Sequence, residues 1–587
     1  MDLPTPSRQL WNLRRGDADD NRTSPHGRGW RNLAFASALE SNYLTASLAV
    51  LAVIVVPALL VGLMPPVLVA YGRRNIAAVA MVASHPIAAL LSIAALVGLA
   101  IGVGKPLLVR AVDNFWHLHY TLVFPVFVAL RELICAAAER LPARAMSAEQ
   151  LSRRRKLGTV LAALLLAGGG LSLALSLEFS ADPALVERRG GVQARALAMV
   201  GLTNAAVVLG VSTVVASVYW FWHEITSSHP VLDWAPGPAV AAEPPVRVAH
   251  LSDLHVVGER YGYRMESGTD GPRGNGRIRR ALHKLAAIHA ATPLDRVLIT
   301  GDITDAGTRA EWAEFIDLLR PFPGLRARML FVPGNHDVNV VDRTNTGRLD
   351  VPWSMGQALR KLRVVLALDE IQGDCVHVVD RTSGAVGSSL RDYLWSGERP
   401  ALLRALAERG AWRGRWEMDR VWEEMFPLVV PPGDHGSYGV ILLDSNAQRH
   451  FSLTNAIGVV GRAQLRALRS VLRTCPDRAW MILLHHHIVE YPIRWIGLDE
   501  RIGVALVNAP DVMKVIASHP SPVVVLHGHR HRDWIGSRAD VVVCSAPSVA
   551  LGSKSGDRSR GSFHVYELAP HAGGGLGLIA SRHVTVA

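Results

Sequence analysis

Cysteine is scarce in this chain: Cys135, Cys375, Cys475 and Cys544 are the four in 587 residues, and no two share a metal-ligand spacing. That excludes a disulfide scaffold and a cysteine-based metal site, and it reads as reduced thiols compatible with a cytosolic domain. A typical signal peptide is missing too, because the first long apolar run begins only after about 45 mostly polar residues. No internal repeat or Gly/Ser-rich linker stands out beyond the short Gly573–Gly575 turn.

The most informative lack is local. Four stretches, roughly 46–72, 75–104, 157–177 and 196–222, contain no charged residue. Each reaches the ~20 apolar residues that cross a ~30 Å hydrocarbon layer, and Pro57, Pro65, Pro66 and Pro86 are tolerable in such helices. A fifth candidate, 115–141, is interrupted by Arg131 and Glu132 and suits an interfacial segment better. Basic residues set the expected topology. Arg8, Arg14, Arg15, Arg22, Arg28 and Arg31 crowd the N-terminal tail, and the connection from Lys105 to Lys156 is equally rich, while the other two loops are poor. Four spans put both rich segments, and the C-terminal domain, on the cytoplasmic side of an inner- or plasma-type membrane. Tyr219-Trp220-Phe221-Trp222 then falls where an interfacial aromatic belt belongs. Much of the net charge of +12 is juxtamembrane, so no nucleic-acid partner is expected. The resulting division is a basic tail over 1–45, an all-α membrane domain over 46–224, a linker over 225–245 and a catalytic domain over 246–587.

Past the linker the pattern changes to short apolar strands alternating with amphipathic helices, an α/β signature. Val246–Leu251 runs into Asp253 and His255, and Arg296–Thr300 into Gly301-Asp302. Arg328–Val332 runs into Gly334-Asn335-His336-Asp337, Trp480–Leu484 into His485-His486-His487, and Val523–Leu526 into His527-Gly528-His529-Arg530-His531. Ligands of such sheets gather beyond the carboxyl ends of strands, where every one of these residues falls. Asp253 and His255 are two apart, so an extended backbone projects both to one side. Asp302 has two oxygens and is able to serve two ions, and Asn335 offers a neutral carbonyl oxygen. With His485, His529 and His531 the shell mixes nitrogen and oxygen, which suits Mn, Fe, Zn or Co better than Ca or Mg. Two such ions ~3.5–4 Å apart clamp a phosphate and make hydroxide available near neutral pH.

In this order, D-x-H, GD-x-x-D, GNH-[DE], H and GH-x-H, the motifs resemble those of calcineurin-like metallophosphoesterases over about 245–587. The resemblance implies a four-layer α-β-β-α sandwich and two divalent transition-metal ions. It implies Asp253, His255, Asp302 and His531 around one ion, and Asp302, Asn335, His485 and His529 around the other. His336 would contact the phosphate and assist the leaving oxygen, with Asp305 orienting it. His485 is taken as the ligand because it directly follows its strand, with His486 and His487 the alternatives for metal or residues that reach substrate, and His527 alternates with His529 along the chain. Ala306 stands where the protein Ser/Thr phosphatases carry Arg, which speaks against that branch, and the HH after the fifth strand with the closing GH-x-H more closely resembles the cyclic-nucleotide phosphodiesterase-like branch. A helical insert at about 340–437, rich in Trp and Arg, either caps the site or fills a small core of its own. The expected activity is hydrolysis of a phosphodiester or phosphomonoester, small or lipid-linked, at a bilayer. Lipid-head-group or pyrophosphate hydrolysis, or a sensor or transporter with a regulatory phosphoesterase domain, are the alternatives.

Overall fold

A computed structural model describes residues 148–177 and 194–226, scattered helical residues between 59 and 137, and most of 231–586. Within that last range, 236–244, 260, 267–271, 340–355, 382, 410–411, 434–437, 447–455, 492–505, 539, 554–559 and 571–574 fall outside the description. The expected spans at 46–72 and 75–104 lie largely outside the described residues, as does the basic tail. The chain divides into two compact units, one holding His229–Ala587 and the other Tyr43–Ala145 with Arg153–Ser228.

In the second unit, the helix segments Arg153–Leu175 and Leu197–Thr226 are long and apolar enough to cross a bilayer. Leu164, Leu165, Leu175, Met199, Val215 and Trp222 are more than half exposed along them. The helices approach closely where Gly170 meets Gly210. A Cβ on either glycine would stand 2.6 Å from the other's carbonyl oxygen, the small-residue contact that lets two helix backbones approach closely.

The larger unit is built on two mixed sheets. The first runs β14-β13-β2-β3-β4, with β2 (Val246–Leu251), β3 (Arg296–Ile299) and β4 (Met329–Phe331) parallel. β13 (Gly561–Pro570) and β14 (Leu576–Val586) are added antiparallel. The second has nine strands in the order β1-β11-β12-β10-β9-β8-β7-β5-β6. Its parallel centre is β8 (Gly439–Leu442), β9 (Trp480–Leu483), β10 (Val523–His527) and β12 (Val541–Ser545). β1 (Leu232–Asp233), β5 (His377–Val379), β6 (Val386–Ser389), β7 (Leu428–Val430) and β11 (Trp534–Arg538) are antiparallel additions.

Alternation along β9 makes the layering plain. Met481 and Leu483 join a core shared with Val248, Val297 and Leu526 of both sheets. Trp480 and Ile482 face the other way, onto Leu468, Val471, Val512 and Ile516 of the helices Arg462–Thr474 and Ala509–Ile516. Strands buried on both faces read as continuous apolar runs, as β9 and β10 do. The helix Arg309–Leu319 opens with a capping box legible in Thr308-Arg309-Ala310-Glu311 and buries Trp312 and Phe315 near Phe331.

The segment expected to be a helical insert has the helices Gly356–Gln372, Leu390–Trp395, Arg399–Arg409 and Trp412–Met425, but it also supplies β5, β6 and β7. Those strands lengthen the nine-stranded sheet, so this segment is part of the sheet's architecture as well as a helical elaboration. Trp422 is buried and its indole N–H donates to Asp444 Oδ2 at 2.7 Å.

Candidate metal centre

Five strand ends converge here. β2 and β3 are paired in register, so the loops that follow them run side by side. The Asp253 N–H donates to the Gly301 carbonyl at 3.1 Å and the His255 N–H to the Asp302 carbonyl at 2.9 Å. Asp337 ties the next loop on. Its carboxylate accepts the Gly334, Ile303 and Thr304 N–H groups and the Thr304 hydroxyl, at 2.6 to 3.2 Å. From the other sheet, the Gly528 N–H donates to the His485 carbonyl at 3.1 Å, and the His529 N–H to Asp253 Oδ2 at 3.1 Å. Arg360 and Arg363, in the helix Gly356–Gln372, donate to the Ala306 and Gly307 carbonyls and hold the turn after Asp305.

The backbone is strained where these loops deliver side chains. Asp253, His255, Asp302, His529 and His531 all have φ between 44° and 70°, and among the described residues no other non-glycine does so. Such conformations cost of order 1–3 kcal/mol each and persist only where the surroundings enforce them. Gly334 is required by close approach, because a Cβ there would collide with the Asp302 carboxylate and backbone nitrogen.

Two groups carry most of the expected ligands, and His255, Asp305 and His336 make a third. In the first, His531 Nε2 lies 3.1 Å from Asp253 Oδ1, and His255 joins them within ligand range. In the second, Asp302, His485 and His529 converge, and Asn335 Oδ1 lies 3.1 Å from His485 Nε2. Asp302 stands between the two, with Oδ2 3.2 Å from His485 Nε2 and 3.9 Å from His255 Nε2. All of these side chains are buried. His485 is aimed by its Nδ1–H, which donates to the Thr300 carbonyl at 2.7 Å and turns Nε2 inward, as ligating histidines usually are.

The donor set fits divalent ions. Both ring nitrogens of His255 and Nε2 of His529 are buried without a hydrogen-bond partner. A buried polar atom left so costs about 1–3 kcal/mol, and a cation among them would satisfy several together. Electrostatics agree. Burial pushes the Asp302 carboxyl up, but His485 and His336 outweigh it and hold it well below the usual carboxylate range. Burial pulls His485 down, yet Asp302 and Asp253 raise it to about 9. His529 is driven well below its ordinary value, first by burial and then by neighbouring histidines, and so stays neutral.

His336 belongs to the third group, its ring 4.6 Å from that of His255. Burial lowers it, but Asp302, Glu266 and Asp305 raise it to about 9. Its Nδ1 meets the Asp305 backbone carbonyl at 2.8 Å. The contact from Asp305 to His336 Nδ1 is therefore a backbone one, while its carboxylate accepts the Met265 N–H and lies 3.5 Å from His255 Nδ1. Of the three consecutive histidines, the structure brings His485 into a cluster. His486 bonds Ser445 Oγ at 2.9 Å, and His487 stacks on Tyr491. His527 is buried behind and is pulled down to about 4, chiefly by burial.

Glu266 has no motif to announce it. Its carboxylate lies 3.4 Å from His531 Nδ1 and 3.8 Å from His336 Nε2. Nothing in the run Tyr261–Glu266 signals this role, because only the fold brings that run to the rim.

Residues 246–533 match the family model described as Calcineurin-like phosphoesterase. A probable cyclic nucleotide phosphodiesterase of Coxiella burnetii is 29% identical over 99 residues, 17% of this chain and 35% of the relative. The chain thus spans about a third of that curated relative. Among solved structures, a dimetal phosphatase from Danio rerio is 12% identical, with 59% of this chain and all of that one covered, at a TM-score of 0.34. A putative 5'-nucleotidase from Staphylococcus aureus is also 12% identical, with 58% of this chain and 54% of that one covered, at 0.29. Residues 246–533 therefore resemble a calcineurin-like metallophosphoesterase domain.

Proposed function

We propose, from the premise of a calcineurin-like phosphoesterase domain over 246–533, that the protein is a membrane-anchored phosphoesterase with a dinuclear metal centre. The observation that carries the reading is Asp302, a buried carboxylate grouped with His485 and His529 and 3.9 Å from His255 of the neighbouring group. Asp253, His255, Asp302 and His531 would hold one ion, and Asp302, Asn335, His485 and His529 the other. Bound divalent ions supply positive charge for the phosphate and lower the pKa of water.

The chain's own groups do the rest. His336 donates from Nδ1 to the Asp305 carbonyl, and that contact fixes the ring. In the metal-free chain, against the pull of burial, Asp302, Glu266 and Asp305 raise its pKa to about 9. Nε2–H is then a donor to a phosphate oxygen and a proton source for the departing alkoxide. Glu266 faces that nitrogen from the rim and favours its charged form. The Asp337 brace keeps the Asp302 and Asn335 loops in one register, so positions hold while the proton moves.

The Coxiella relative is named for cyclic nucleotides, which makes a phosphodiester the first substrate class to test. The two exposed apolar helix segments support anchoring in a bilayer, and with it a second reading in which the substrate is a lipid head group. In both readings the catalytic domain faces the cytoplasm. The test is hydrolysis by the full-length protein in detergent, with Mn²⁺ added or chelated. An aryl phosphodiester, its monoester and phospholipid vesicles serve as substrates, with His336→Ala as control. Metal-dependent diester turnover that falls at least a hundredfold in His336→Ala is expected. A folded, metal-loaded protein inert on all three substrates would sink the proposal and revive a sensing role.

A further inference from the structure

A separate group of ligand-type side chains sits on the five-stranded sheet. His564 of β13 and His583 of β14 are directly opposite each other in the antiparallel register. Their rings are 5.2 Å apart. Asp533, from the loop between β10 and β11, reaches over them, with Oδ1 2.9 Å from His564 Nε2 and Oδ2 3.4 Å from His583 Nε2. The His564 side chain is 4% exposed and forms a floor, while those of Asp533 and His583 are 35% and 43% exposed and leave an opening.

We infer that Asp533, His564 and His583 form a further divalent transition-metal site, of the zinc type, independent of the centre at Asp302. Two ligands each ~2.0–2.1 Å from a tetrahedral ion lie roughly 3.3 Å apart. The separations of 2.9 and 3.4 Å bracket that figure, and the 3.1 and 3.2 Å pairs of the main centre lie just below it. The carboxylate turns one oxygen to each imidazole, an arrangement that one ion between the three satisfies and a single ion pair does not use. His564 Nδ1 lies 3.1 Å from Ser581 Oγ, the outer hydrogen bond that fixes a ligating imidazole and directs Nε2 to the ion. Two imidazoles with one carboxylate favour Zn²⁺, Co²⁺, Ni²⁺ or Cu²⁺ over Ca²⁺ and Mg²⁺. The open side leaves room for water. Asp533 follows His531 by two residues, so an ion here ties the loop bearing His529 and His531 to the β13–β14 hairpin.

The test counts Zn²⁺ per chain in the full-length protein, stripped by chelator and re-equilibrated with micromolar Zn²⁺. His583→Ala and Asp533→Asn are each expected to hold one ion fewer than wild type, whatever the main centre takes up. A double variant, Asp302→Asn with His485→Ala, is expected to retain an ion that adding His583→Ala removes, so the two centres fail separately. Substitution of a solvent-facing histidine is a mild perturbation, and His583→Cys offers a positive readout. Loaded with Co²⁺, it is expected to gain a thiolate-to-cobalt absorption band that wild type lacks. Equal Zn²⁺ counts in wild type, His583→Ala and Asp533→Asn, with no such band in His583→Cys, would overturn the inference and leave an ordinary ion pair.

Discussion

Replacing Asp302 by asparagine removes the shared charge while keeping the shape. Asp302 Oδ1 accepts the His336 N–H at 2.8 Å, and Oδ2 faces His485 and His255. Asparagine keeps an oxygen for the amide and turns its NH₂ toward both imidazoles, where cations are to sit. The size of the effect follows from His485, which is raised from 6.5 to about 9 against the pull of burial, with Asp302 the largest of the raising influences. A rise of that size corresponds to roughly 3 kcal/mol for one charge on the imidazole, with Asp302 its first raising cause. Loss of the Asp302 charge should cost each divalent ion on the order of that amount, roughly a hundredfold in affinity. The assay is a Mn²⁺ titration of the full-length variant, followed by metal content and by aryl phosphodiester turnover. At fixed metal the turnover should fall at least a hundredfold, and excess Mn²⁺ should restore part of it. A variant that binds Mn²⁺ as tightly as wild type and turns over within a few-fold of it would refute the shared-carboxylate argument.

Gly334→Ala puts a methyl group onto the Asp302 carboxylate, while the Gly334 N–H is held by Asp337 at 2.8 Å and cannot retreat. Overpacking of this kind costs about 1–3 kcal/mol, so the denaturation midpoint of the metal-free protein should drop, and an unmoved midpoint would count against the geometry. His336 and His485 are both raised to about 9 in the folded, metal-free protein. The stability they contribute is complete below the unfolded value of about 6.5 and is lost as pH climbs through 9. Because His485 must shed its proton to ligate, metal affinity should rise over the same interval. Calorimetry in two buffers of different ionisation enthalpy should report proton release on Mn²⁺ binding at pH below 9, and none released would contradict the assignment.

Much of the centre was legible because strand ends are local features. An apolar β-branched run followed by Asp-x-His, Gly-Asp or Gly-Asn-His announces its own position at the end of a strand. The box at Thr308 and Glu311 likewise marks its helix start without help from the rest of the chain. Other parts were not legible. The segment 340–437 reads as helix from its composition, yet β5, β6 and β7 form because the nine-stranded sheet offers them an edge to pair with. Three adjacent histidines are equivalent along the chain, and only the turn after β9 points His485 inward and His486 to Ser445.

By itself, then, the sequence determined the residue types, their order behind the strands, and the uncharged runs that suit a bilayer, since all of these depend on neighbours a few positions away. Tertiary structure decided which side chains meet. Asp302 lies between two groups, Glu266 reaches His336, and Asp533 reaches His564 and His583 because sheet register and left-handed backbone at five candidate ligand positions bring distant residues together. Those contacts span tens to hundreds of residues, and no local pattern encodes a distance between segments that only packing of the two sheets brings together.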